Sequence, residues 1–371
     1  MKYLFLISLL LLNILIVNSS FQTTIFAKSN LDKKGKNLLI SPLSIFQVLG
    51  LTTNGAAGVT QKEMITALEA SSIENINNRN FQLIKTIKKF STTELANGVM
   101  SILTPIKPFL KMCDKYEAPI EKLISLEQVN GWCSKKTHGK ITKILDELGS
   151  DVIMILLNAV YFKGDWTFPF NPRLTRDGLF GDSSSKKKKV KMMTQTHKFN
   201  YYIDRSVQAI ELPYKNDSMS ALIILPYAGA DIDNFVNTLK INDNYLNRIM
   251  KGMKKTMVKL SLPKFEIEFK SNLNKVLKKL GMKQAFTPQA DFSGIGATLH
   301  IDAVIHKTYL KVDEKGSEAA AVTAVVMSNN TLPFTPKVTT MNVNRPFIFI
   351  LKSKLLPKDN DILFIGKIKD I

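Results

Sequence analysis

The chain has 371 residues, 45% of them hydrophobic and 22% charged, enough to bury a sizeable core and unlike a disordered tail or a mini-protein that needs covalent staples. Its two cysteines, Cys113 and Cys133, exclude a disulfide-dense scaffold, a four-cysteine zinc site and an iron–sulfur cluster. The net charge of +20 predicts attraction to polyanions without saying which kind.

Lys2 precedes an apolar run from Tyr3 to Val17, broken only by Ser8 and Asn13, and then come Asn18, Ser19 and Ser20. A basic start, an apolar middle and a small polar end read as a signal peptide over residues 1–19. The run is short for a spanning helix, which needs roughly twenty apolar residues. The plainer alternative is an uncleaved apolar helix packed on the domain. The first reading makes residues 20–371 a soluble, secreted, extracellular domain with no membrane partner after cleavage. There Cys113 and Cys133 either pair or stay free, and the sequence leaves both open.

Helical spacing marks residues 44–51, 60–68, 81–90, 129–137 and 273–280. Strand-like runs occupy 152–162, 209–212, 220–225, 256–262, 305–312, 347–351 and 362–365. Helices dominate the first half and strands the second, which predicts an α+β domain with antiparallel sheets rather than a doubly wound fold. No repeat and no long linker divides the chain, so a single domain is expected.

Enzyme readings fail on chemistry. Only His138, His197, His300 and His306 are available as bases, and none stands in a nucleophile elbow, a zinc-binding helix motif, a phosphate loop or a dinucleotide fingerprint. Asn54-Gly55 and Gly294-Ile295-Gly296 read as turns. No pair of histidines or cysteines has ligand spacing, so neither metal nor cofactor is expected.

Several segments recur together in a fixed order: NLLISPLSI from Asn37, GAAGVT from Gly55, Asn130-Gly131-Trp132, THGKI from Thr137, LNAVYFKGDW from Leu157, VKMM from Val190, ELPY from Glu211, LPKF from Leu262, DFSG from Asp291, NRPF from Asn344 and FIGK from Phe364. In that order they resemble the serpin family, large inhibitors that trap proteases by changing their own fold. The resemblance implies a serpin fold of about three β-sheets with eight or nine helices, and an exposed reactive-centre loop at about residues 314–340.

The stretch from Val312 to Met327, VDEKGSEAAAVTAVVM, resembles an inhibitory hinge. On propensity alone its alanine run reads as a helix end. As a strand, however, Ser317, Ala319, Ala321 and Thr323 share one face, and all four are small enough to be buried. Gly316 supplies a swivel after Glu314. The resemblance implies suicide inhibition: a protease attacks the loop, forms an acyl-enzyme, and the freed hinge inserts into the central sheet. The partner is then a target protease held covalently by a monomeric inhibitor.

The resemblance implies the family's usual spacing of seventeen residues from Glu314 inclusive, which puts the reactive bond between Asn330 and Thr331. Counting back from Pro346 points to Leu332 or Phe334. Leu332 or Phe334 would suit a chymotrypsin-like or elastase-like serine protease, and on either count the lack of Lys and Arg between Gly316 and Pro336 argues against a trypsin-like one. The resemblance also places Ser41, Ser44, Asn158 and His306 in a polar cluster under the opening strands, where the plainer reading is a satisfied buried hydrogen-bond group. Trp166 matches the residue near the point of loop insertion, and is otherwise an ordinary core aromatic.

Lys85, Lys88 and Lys89 fall on the helix that binds heparin in some serpins. Further clusters are Lys186 to Lys189 with Lys191, and Lys275, Lys278, Lys279 and Lys283. A sulfated glycosaminoglycan is a better partner than nucleic acid, because no aromatic stacking motif accompanies the lysines. A solvated charged face is the alternative. Asn216 and Asn329 lie in glycosylation sequons. A glycan at Asn329 would block protease access and favours a second class of function, a serpin-fold binding or carrier protein.

Overall fold

The computed structural model describes residues 20–87, 93–182, 187–215, 218–241, 243–296, 299–317, 338–356 and 361–371. Its first half carries α1 (Phe21–Leu31), β1 (Leu38–Ile40), α2 (Pro42–Thr53), α3 (Gly58–Ala67), α4 (Ile73–Ile87), β2 (Thr93–Ser101), α5 (Lys107–Tyr116), β3 (Ile120–Lys122) and α6 (Leu126–Lys136). Strands then take over with β4 (Met154–Phe162), β5 (Gly164–Asp165), β6 (Arg176–Phe180), β7 (Lys188–Ile203), β8 (Val207–Pro213) and β9 (Met219–Pro226). After α7 (Ile232–Ile241) and α8 (Asp243–Gly252) come β10 (Lys254–Pro263), β11 (Phe265–Asn272), α9 (Asn274–Lys279), β12 (Ala303–Val312), β13 (Gly316–Ser317), β14 (Thr339–Asn342), β15 (Phe347–Ser353) and β16 (Ile362–Ile368).

Among the described residues these form nine helices and three sheets, in agreement with the α+β expectation. One sheet has nine strands in the order β1-β16-β15-β9-β8-β7-β10-β14, with β6 on β7; a second has five, β11-β12-β4-β2-β3; the third is the pair β5 and β13. Helix α2 packs against β16 of the first sheet and β2 and β4 of the second. All twelve of its residues are buried, as a helix held between two sheets must be. Ser41 starts it, its hydroxyl accepting from the Ser44 amide at 3.4 Å, with Pro42 in the first turn where no backbone donor is needed.

The five-stranded sheet has a second core on its other face, under α6. Trp132 of α6 lies so close to β2 that a Cβ at Gly98 would come within 2.6 Å of its ring, so Gly98 is required by that approach. Asn130 ties α6 to the following segment: its Oδ1 accepts from the Ile144 and Leu145 amides at 2.7 and 3.0 Å. Strand β4, covered on both faces, is buried at every position.

Cys113 belongs to the larger core and Cys133 to the one under α6, and both are free. The pairing left open by the sequence therefore does not occur here. Burial pushes the two thiols up to about 11 and about 12 respectively, which makes them poor nucleophiles. Of the helix expected over 81–90, residues 81–87 are the end of α4, which begins at Ile73, and 88–90 lie outside the described residues.

Candidate functional site: the hinge and the sheet beneath it

Strand β12 ends at Val312 and the chain turns back, the Asp313 amide donating to the Gly316 carbonyl at 2.9 Å and the Asp313 carboxylate accepting from the Lys315 amide at 3.0 Å. The turn is held from outside by residues 166–170. The Trp166 amide donates to the Lys315 carbonyl and the Phe170 amide to the Glu314 carbonyl, each at 2.7 Å. The Trp166 indole N–H reaches the Asp313 carbonyl at 3.0 Å. Glu314 is fixed in turn by Lys264 Nζ at 2.7 Å and the Thr175 hydroxyl at 2.8 Å. Burial acts to raise its carboxyl pKa, but hydrogen bonds from Lys264 and Thr175 outweigh it and hold the group below its ordinary value.

Past the turn, β13 pairs with β5, Gly316 opposite Asp165 and Ser317 opposite Gly164. A Cβ at Gly316 would stand 1.9 Å from the Gly164 carbonyl oxygen, so only glycine fits. Ser317 is completely buried, its hydroxyl 2.8 Å from the Tyr214 hydroxyl. The Tyr214 ring stacks on Trp166 with centroids 4.4 Å apart. Thus Glu314, Gly316, Ser317 and Trp166 form one assembly.

Below the hinge, β4 and β12 run parallel from Ile155 with Ala303 to Tyr161 with Tyr309. From Leu310 to Val312, β12 pairs with β11 on one side and, among the described residues, with no strand on the other. Midway along the pair, Asn97, Asn158 and His306 lie opposite one another on β2, β4 and β12. His306 Nε2 accepts from the Ser41 amide at 3.1 Å, which leaves Nδ1 to carry the proton and donate to Asn158 Oδ1. Asn158 Nδ2 donates to Ser44 Oγ and Asn97 Oδ1. Ser44 Oγ donates to Asn97 Oδ1 at 3.1 Å, and Asn97 Nδ2 donates to Gln47 Oε1 at 2.7 Å. Complete burial lowers His306 to about 3 from 6.5, so the imidazole is neutral.

The sequence brought out Ser41, Ser44, Asn158 and His306 and missed Asn97 and Gln47. Gln47 stands three residues after Ser44 and so shares its helical face. Asn97 lies on a strand with no clear alternation, and only its position opposite Asn158 marks it.

Residues 17–371 match the sequence profile of a family described as Serpin (serine protease inhibitor). The chain belongs to the serpin family. It is 32% identical over 366 residues to Intracellular coagulation inhibitor 2 of Tachypleus tridentatus, a match covering 91% of this chain and 86% of that one. The native structure of the thermophilic serpin tengpin is similar with a TM-score of 0.86 at 31% identity, covering 95% of this chain and 93% of tengpin. Human thyroxine-binding globulin, in complex with its ligand, gives 0.85 at 25% identity over 95% and 96%.

Other residues singled out from the sequence of this serpin lie outside the described ones: Ala319, Ala321, Thr323, Asn330, Thr331, Leu332 and Phe334 of the loop, Asn216 and Asn329 of the sequons, Lys88 and Lys89, and residues 1–19. Lys85 is exposed on α4. The other lysine clusters are partly neutralised: Lys188 pairs with Asp370 at 2.7 Å, Lys191 with Asp177 at 2.7 Å, and Lys275 and Lys279 both with Asp32 at 3.0 Å. No helix among the described residues is long and apolar enough to cross a membrane.

Proposed function

We propose that this serpin is a secreted suicide-substrate inhibitor of a chymotrypsin-like or elastase-like serine protease. The observation that carries the reading is the hinge. The chain reverses at Asp313 to Gly316, so a loop continuing into the sheet would run antiparallel to both β12 and β4. Insertion would replace one parallel pairing by two antiparallel ones, and antiparallel pairing is slightly more stable per residue. Glu318 falls on the opposite face from Ser317, and the inserting face continues as Ala319, Ala321 and Thr323, with no charge to be buried unpaired. The metastable starting state is then held by a kinetic barrier.

The alternative is a carrier. It draws support from the likeness to thyroxine-binding globulin and from the Asn329 sequon, whereas the small-residue hinge favours inhibition. A glycosaminoglycan cofactor bound through Lys85, Lys88 and Lys89 fits either reading. The deciding experiment incubates the protein with chymotrypsin, elastase and trypsin and looks for complexes that survive boiling in detergent. Complexes with either of the first two and little with trypsin support inhibition; simple cleavage by all three supports the carrier.

A further inference from the structure

We infer that the exposed face of β7, β10 and β14 carrying Lys198, Lys255 and Lys259 is a docking surface for an acidic patch on the target protease, beside the cleft that takes the loop. The identity of the partner rests on the inhibitory reading above, and the surface itself on strand register. In the antiparallel pair of β7 and β10, Lys198 is opposite Met257. Lys255 and Lys259 are therefore its two diagonal neighbours on the same face, at roughly 7–8 Å between Cα atoms. All three are exposed, while Phe199, Val258 and Leu260 at intervening positions are buried on the opposite face.

Nothing on these strands neutralises the three ammonium groups. The other positions of that face from Thr194 to Asn200 and from Lys255 to Ser261 are Thr, Asn, Met and Ser, and β14 adds Thr340 opposite Lys259. The nearest acids are engaged elsewhere. Glu211 accepts from Asn200 Nδ2 and the Ser220 hydroxyl, each at 2.7 Å, and Asp204 from the Tyr202 hydroxyl at 2.9 Å and the Ser206 amide at 2.7 Å. None of the three lysines makes an ion pair among the described residues. Like charges held as cross-strand neighbours repel, and an acidic surface laid across them relieves that repulsion.

The position of this face points to the partner. Strand β14 runs parallel to β10 with Thr339 opposite Val258, so the chain leaving the loop arrives through the exposed Val338 level with Met257, among the three lysines. At its other end β10 runs through Pro263 to Lys264, whose Nζ holds Glu314 at the start of the hinge. Strand β10 therefore spans the two ends of the loop, and a protease engaged on the loop has its rim over that span. Rim charges of this kind act chiefly on the rate of association.

The test measures how fast the full chain is consumed by chymotrypsin and by chymotrypsin succinylated on its surface lysines, which keeps the active site and makes the surface acidic. Cleaved and trapped products are counted together. At low salt the succinylated enzyme should react about tenfold faster than the native one. Lys198→Gln/Lys255→Gln/Lys259→Gln should lose most of that advantage and its salt dependence. Lys34→Gln/Lys36→Gln/Lys62→Gln, which removes the same charge after α1 and from α3, should keep both. No advantage for the succinylated enzyme, an advantage retained without the three lysines, or an equal loss in the control variant would overturn the docking surface, as would failure of both enzymes to cut the loop. Retention on heparin resin that falls in the first variant, with neither protease rate altered, would assign the face to a sulfated glycan instead. Equal thermal unfolding of the variants excludes misfolding as the cause of a loss, and Lys198→Gln alone serves if the triple variant does not fold. Cleavage without trapping, with the charge effect intact, refutes the inhibitory reading and supports the surface, so the two can fail separately.

Discussion

The Tyr214 hydroxyl lies 2.8 Å from the Ser317 hydroxyl while the same ring stacks on Trp166, so one side chain joins hinge residue Ser317 to residues 166–170, which hold the turn. Ser317→Arg should therefore act twice. It displaces β13 from β5 before cleavage, because a guanidinium has no room beside Tyr214, and it blocks insertion afterwards by requiring an unpaired buried charge. The loop should still be cut, with cleaved protein accumulating in place of the trapped complex. A titration that finds the complex at undiminished yield would refute the insertion argument.

His306 predicts an acid-dependent loss of stability. Its pKa is about 3 in the fold against 6.5 ordinarily, so on acidification the unfolded chain takes up a proton that the folded one refuses. The stability this supplies is complete above pH 6.5 and is lost as pH falls toward 3, at a limiting slope of about 1.4 kcal/mol per unit. Glu211 and Glu314, whose pKa values are also lowered, lose stability in acid too, but they do so equally in a His306→Gln variant. Between about pH 6 and pH 4 the urea midpoint of the wild type should thus fall more steeply than that of the variant. Parallel curves would mean that the folded imidazole accepts the proton.

Much of this was legible along the chain, and what was not has physical causes. Strands β4, β15 and β16 were found because strands covered on both faces read as apolar runs. Strand β7 escaped although it spans sixteen residues, because its many Lys, Thr and Gln residues give too weak a pattern even though β10 pairs on one side and β6 and β8 on the other. Helices α7 and α8 are amphipathic, but their short alternation of Asn, Asp and Lys with apolar residues resembles a loop. In the polar cluster, the residues within the family motifs were found; Gln47 lies just beyond its motif, and Asn97 needed the register of β2 on β4.

Lys367 is a buried charge with a defined partner. It is fully buried on β16, its Nζ bonded to Asp233 on α7, to Asn30 Oδ1 on α1 at 2.6 Å and to the Lys33 carbonyl at 3.0 Å. Lys367→Met leaves Asp233 unpaired in a mostly buried position and should destabilise the native state by about 3–5 kcal/mol. The double variant Lys367→Met/Asp233→Asn should recover part of that loss. A double variant as unstable as the single one would show that the ion pair is not what joins the last strand to α7.

The resemblance predicts that Lys85, Lys88 and Lys89 bind a sulfated glycan, whereas Lys275 and Lys279 pair with Asp32. Retention on heparin resin should fall steeply with salt, as counterion release requires, and more so than for the triple alanine variant. Identical elution of the two proteins would move the site elsewhere.

The bond cut by the target protease is the last prediction, and the two ends of the loop give different counts. Glu314 is anchored by Lys264 and Thr175, and the family's usual spacing from there places Asn330 before the bond and Thr331 after it. Arg345, whose Nε donates to the Pro226 carbonyl at 2.8 Å, fixes the other end, and the usual spacing back from Pro346 falls among residues 331–335, with Leu332 or Phe334 before the bond. The forward count is the better guide, because the number of residues that must insert is set by the length of β4 and β12, while the segment beyond the bond can lengthen without mechanical consequence. On either count no Lys or Arg lies between Gly316 and Pro336, so a protease whose pocket holds an aspartate for a basic side chain should be trapped poorly. Amino-terminal sequencing of the fragment released from a trapped complex decides the matter. A start at Thr331 supports the forward count, a start at Thr335 places the bond after Phe334, and a start at Val338 would show that Lys337 is used and that both counts are wrong.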